Sequence, residues 1–112
     1  RSDVETTVLR TSGMLFQEQP GGKISNLYNF KIVNKTFDEK NLTFKLENFD
    51  GEFKFVGDSD LTIEGQELRE GEFFLIVDKR NIKKRSSKIK IGVYENGKKI
   101  ETVKTKFLGK SF

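Results

Sequence analysis

The stretch KIKIGVYENGKKIETVKTKF, residues 88–107, decides the fold class. Ile89, Ile91 and Val93 alternate with polar or small residues, the period of a strand with one buried face. Asn96 and Gly97 then interrupt the pattern. Both tolerate the left-handed backbone that a two-residue type I′ turn requires, and between alternating segments they predict a β-hairpin. On the return strand Val103, Thr105 and Phe107 share one parity while Ile100 falls on the other, so a β-bulge is expected between Ile100 and Val103.

The same period recurs upstream. VETTVLR (4–10) is rich in β-branched residues and reads as a first strand. After the Pro20–Gly22 turn, SNLYNFKIVNKT (25–36) puts Tyr28, Phe30 and Ile32 on one face with Ile24, turns Asn29 and Lys31 the other way, and reaches Asn34 at its exit. Leu42, Phe44 and Leu46 alternate with Thr43, Lys45 and Glu47. Phe53 with Phe55, and Leu61 with Ile63, mark two short strands. From Phe73 to Val77 both parities are apolar, which predicts a central strand covered on both faces or one carrying a bulge. No segment shows a helical period. About seven antiparallel strands at short spacing predict an immunoglobulin-like β-sandwich spanning residues 1–112, with a small Greek-key barrel as the alternative.

Composition narrows the chemistry. The 112 residues include 11 Phe, 2 Tyr and 1 Met, with no Trp, Cys or His. A chain this long buries roughly two thirds of its unfolded surface, enough for one core without disulfides, and Phe must be its main filler. Without Cys there is no thiolate nucleophile, thiolate zinc site or iron–sulfur ligation; without His the commonest general base and metal ligand are missing. The polar opening RSDVETTVLR has no signal-peptide pattern and is expected to be an internal segment of a larger protein. The net charge is +4, yet KRNIKKRSSK (79–88) holds six basic residues and no acid, so the remainder carries +4 − 6 = −2. On this reading the basicity is one patch.

That patch, Lys79, Arg80, Lys83, Lys84, Arg85 and Lys88, is the candidate interaction site, weighed against a simple solvated loop. It would suit an anionic membrane surface; nucleic acid is not expected, because no aromatic interleaves the charges. Asp58, Asp60 and Glu64 could supply oxygen ligands to calcium but lack the remaining ligands and glycine of a full loop, so a turn bearing acids is the simpler reading. Asn34 and Asn41 each begin an N-glycosylation pattern, NKT and NLT, at strand ends where Asn is common anyway. Glu70 and Glu72 form a carboxylate pair with no sign of convergence. Neither an enzymatic activity nor a small-molecule substrate is expected. A free-standing adhesion or carbohydrate-binding sandwich is the rival reading, and would need an exposed aromatic platform.

Three stretches carry a resemblance: DVETTVLRTSGMLFQEQPGGKISNLYNFKIVNKT, LTFKLENFDGEFKFVG and KIKIGVYENGKKIETVKTKFLG. Together, and chiefly through GMLFQE and ISNLYN, the chain resembles the C-terminal immunoglobulin-like domain of the FixG/CcoG family, bacterial cytochrome c oxidase accessory proteins. The resemblance implies a larger membrane protein whose cysteine-ligated iron–sulfur clusters precede this domain, and a role in assembling the cbb-type oxidase through electron transfer to copper. It implies the periplasmic face of the inner membrane, and as partners the parent protein and oxidase assembly factors. The matched positions Gly13, Asn26, Tyr28, Asn34, Gly92 and Gly109 are structural in this reading. The domain itself is expected to hold no cofactor or metal, since Met14 is its only soft ligand.

Overall fold

The computed structural model describes residues 3–11, 16–83 and 85–109, and these described residues form nine strands. They are β1 (Val4–Arg10), β2 (Gln17–Gln19), β3 (Lys23–Asn34), β4 (Lys40–Leu46), β5 (Gly51–Phe55), β6 (Thr62–Ile63), β7 (Leu68–Asp78), β8 (Ser86–Glu95) and β9 (Lys98–Leu108). All pairings are antiparallel. One sheet runs β1-β3-β7-β5, with β2 also on β3, and the other runs β6-β4-β8-β9. Two separate sheets make this an immunoglobulin-like sandwich and remove the barrel alternative; β1-β3-β7-β5 against β4-β8-β9 is the four-plus-three arrangement of that fold.

Alternation builds the interior between the sheets. Tyr28, Phe30, Ile32, Phe73, Leu75, Ile89, Ile91, Val93 and Phe107 are all at most 4% exposed. The rings of Phe30, Phe44, Phe53, Phe55 and Phe73 form one cluster, Phe30 meeting Phe44 edge-on with centroids 5.8 Å apart. The Phe-rich core expected from composition is therefore a contiguous aromatic layer.

Polar groups buried in that layer join the sheets. The Asn26 amide donates to the Leu108 carbonyl at 2.9 Å and its oxygen accepts the Leu108 N–H at 2.7 Å, pairing β3 of one sheet to the end of β9 in the other as a backbone amide would. Tyr28 donates to the Lys106 carbonyl at 2.6 Å. Burial pushes its phenol pKa up, so it remains a donor. Asn34, 1% exposed, donates to the carbonyls of Asp38, Ile63 and Glu64 and accepts from Thr36, which clamps the β3–β4 turn to the segment after β6.

The differences from the sequence reading are local. Asn96 and Gly97 have φ of 52° and 80°, as the type I′ turn requires. The bulge falls slightly earlier than expected: Tyr94 faces Lys99 and Val93 faces Glu101, leaving Ile100 as the additional residue. β7 lies between β3 and β5 in unbroken register and needs no bulge, and its outer residues Phe74 and Ile76 are only half-buried, so the second face is not covered by another layer. The Pro20–Gly22 turn closes a hairpin whose first strand, β2, was not expected from its polar QEQ.

Candidate functional site

The basic run begins where β7 ends. Asp78 caps a single 3-10 turn, Lys79–Asn81, by accepting the Arg80 N–H at 2.9 Å. The Arg80 guanidinium folds back onto the same carboxylate, Nη2 to Oδ2 at 2.8 Å and Nε to Oδ1 at 3.1 Å. These hydrogen bonds and the adjacent charge hold the Asp78 carboxyl at about 2 and raise the Arg80 pKa. Arg80 is thus committed inside the chain. Lys79 bonds through its backbone to Gly22, and Ile82, 2% exposed, plugs the connection into the core. Lys83, Arg85 and Lys88 are exposed; Lys84 lies outside the described residues.

Lys88 does not belong to a loop patch. It is on β8, and the register sets it directly opposite Lys106 of β9, with Lys90 opposite Lys104. Two like-charged pairs on one exposed sheet face, Cβ atoms about 5 Å apart, repel each other and cost stability. Basicity is therefore not one segment, as the linear sequence suggested, but a face joining two strands and a turn. The signal was present in the alternation of KIKI and VKTKF, but reading it needs the hairpin register.

Beside the ladder, Lys83, Ser86, Ser87, Lys88 and Lys106, with Asn81 and Phe49, line an open groove of about 610 Å³. The side chains of Lys83, Ser86, Ser87, Lys88 and Lys106 have no hydrogen-bond or ionic partner among the described residues. Some cations are paired instead: Lys35 with Glu5, Lys40 with Glu95, and Lys99 with Glu47 at 2.8 Å. The Lys99 hydrogen bond, with a second from Tyr94, lowers the Glu47 pKa, and Lys45 sits 4.7 Å over the Tyr94 ring. A Cβ at Gly92 would meet Tyr94 at 2.7 Å and Glu47 at 2.8 Å, so these side chains would have to shift.

The remaining candidates are absorbed into the fold. The Asp58 and Asp60 carbonyls receive the Arg69 guanidinium, the Asp58 carboxylate takes the Asp60 N–H, and the Asp60 carboxylate takes the Thr62 hydroxyl. Glu64 is turned to Glu39, whose hydrogen bond raises its pKa. No group of three metal-capable side chains occurs among the described residues. The buried Asn34 amide is fully engaged and inaccessible to glycosylation, whereas Asn41 is exposed and bonded to Thr62. Glu70 and Glu72 lie on the outer face of β7 opposite Lys31 and Asn29. Of the matched positions, Asn26, Tyr28 and Asn34 hold strands together, Gly109 packs on Ile82, and Gly13 lies outside the described residues, as does the single methionine, Met14. No helix among the described residues is long and apolar enough to cross a membrane.

Comparison with known proteins bears on these findings. No curated protein matches the sequence. Among solved structures, a FixG-related protein from Vibrio parahaemolyticus superposes with a TM-score of 0.77 over 98% of this chain and 99% of its own, at 19% identity. A protein of Bacillus subtilis described as a lipoprotein, ycdA, gives a TM-score of 0.56 at 17% identity, over 96% of this chain and 37% of its own. Both likenesses concern the fold. The family model described as the IG-like fold at the C-terminal of FixG matches residues 1–110, so the chain belongs to that family.

Proposed function

We propose that this domain is a non-catalytic accessory and docking module of a membrane-bound iron–sulfur protein that assists assembly of the cbb-type cytochrome c oxidase, held at the periplasmic face of the inner membrane. Family membership over residues 1–110 carries this reading. The interior supports it: Asn26, Tyr28 and Asn34 spend their donors on backbone carbonyls. An adhesive or carbohydrate-binding role is less well supported, because the one largely exposed aromatic among the described residues, Phe37 at 89%, stands alone on a turn.

In this reading the clusters and the electron transfer to copper reside in the parent's cysteine-bearing region. The family domain is C-terminal in FixG, so that region joins at the Asp3 end. Asp3 lies beside Lys35, where β3 ends, and Lys79 lies beside Gly22, where β3 begins. The basic turn therefore points away from the junction, about 35 Å along a twelve-residue strand.

The decisive experiment deletes residues 1–112 from the parent protein in its host and measures assembled, copper-loaded oxidase. Reduced assembly, with the parent still present at normal levels, is expected. Normal assembly would overturn the proposal. A reporter fused after Phe112 that is active only on the cytoplasmic side would overturn the periplasmic placement alone.

A further inference from the structure

We infer that the groove between the start of β8 and the end of β9 is a binding site for an anion carrying phosphate oxygens, free or as a lipid headgroup. It is independent of the oxidase-assembly reading. Three lysines (Lys83, Lys88 and Lys106) and two serines (Ser86, on the Lys88 face of β8, and Ser87) line one open volume of about 610 Å³, and no lining residue is acidic. None of these five side chains has a partner among the described residues, whereas Lys35, Lys40 and Lys99 are each paired to a carboxylate. Some cations are thus compensated within the chain, while Lys83, Lys88 and Lys106 line one open volume that has no acid on its wall.

The donor set selects the ligand class. A planar carboxylate is best held by an arginine fork, and Arg80, which lies next to this groove, is already spent on Asp78. Lysines act as point charges and serine hydroxyls as rotatable donors, a set suited to a tetrahedral group with several acceptor oxygens. Phe49, half-buried, gives one wall an apolar surface for an organic substituent. The Lys90–Lys104 pair continues the positive face beyond the groove, and like charges set directly opposite there destabilise the sheet. A cost retained in the folded state is accounted for by an anion that relieves it, and the extended face steers that anion inward.

The test uses the 112-residue chain, labelled with 15N and titrated at constant, low ionic strength with inorganic phosphate. Saturable amide shifts centred on Ser86, Ser87, Lys88 and Lys106 are expected, with affinity falling roughly tenfold for each of Lys88→Gln and Lys106→Gln. Lys83→Gln, outside any strand, should weaken binding without touching the sheet, and Lys31→Gln on the opposite sheet should leave it unchanged. A second arm measures co-sedimentation with phosphatidylcholine vesicles with and without phosphatidylglycerol. Headgroup binding that inorganic phosphate displaces identifies a lipid source, and phosphate binding without vesicle binding identifies a soluble one. Shifts scattered over all lysines, no response to either probe, or binding that survives the Lys88→Gln/Lys106→Gln double substitution would overturn the assignment.

Discussion

Phe30 shows how much a single position carries. Its ring meets Phe44, Phe55 and Phe73 at centroid distances of 5.8 to 5.9 Å, and it lies close enough to Gly71 that a Cβ there would approach Phe30 to 2.8 Å. Phe30→Ala or Phe44→Ala should destabilise the domain by about 3–5 kcal/mol, most of the margin of an ordinary domain. Urea midpoints left near the parent value would refute the inward placement. Asn26→Leu strips partners from both the N–H and the carbonyl of Leu108, at a cost of about 1–3 kcal/mol for each group left buried and unpaired. Tyr28→Phe leaves only the Lys106 carbonyl unpaired, so it should cost less than Asn26→Leu in the same denaturation series. The Phe palette was legible from composition and parity. The task of Asn26 was not, because its partner lies 82 residues away and pairs only after both sheets have formed.

At the level of elements, one additional residue sets the chemistry of a whole face. If β9 followed the Asn96–Gly97 turn without a bulge, Lys88 would face Thr105 and Lys90 would face Val103; with Ile100 inserted, they face Lys106 and Lys104. The hairpin, the alternation and an irregularity near Ile100 were all readable in the sequence. The lysine ladder followed from combining them, whereas counting charge along the chain drew attention to residues 79–88. Its energetic sign is testable: Lys104→Glu converts a repulsive pair to an attractive one and should raise stability by about 0.2–1 kcal/mol at low salt, a gain that shrinks as salt screens it. A lower melting temperature at low salt would contradict the register. The turn before β8 has its own pH signature. Asp78 titrates at about 2 in the folded chain against an ordinary 3.8, so the Arg80 pair stabilises the fold above that ordinary value and is lost as the pH falls through about 2. Carboxyl NMR should find this midpoint, and Arg80→Gln should move it upward; a midpoint near 3.8 in the parent chain would show that the clasp is not formed in solution.

On the scale of the whole molecule, the sandwich measures 47 × 24 × 22 Å, and in the proposed reading β3 separates the junction with the parent from the basic turn. What lies between them bears on copper, the metal that the proposed assembly role concerns. Copper(I) favours thiolate and thioether sulfur and copper(II) favours imidazole. The chain has no Cys, no His and one Met, Met14, so a single thioether is its whole supply of such ligands. Several acidic side chains that could hold copper(II) are engaged elsewhere: Asp58 and Asp60 in the turn after β5, Glu47 on Lys99, Glu95 on Lys40 and Asp78 on Arg80. With no cysteine to ligate a cluster, the domain is also expected to have no group that cycles electrons. The purified chain, titrated with copper(I) against a competing chelator, should therefore leave the metal with the chelator and show no redox wave. Stoichiometric binding at micromolar or lower free copper that disappears in Met14→Ala would move part of the metal chemistry into this domain, and the docking role would then have to be shared with copper handling.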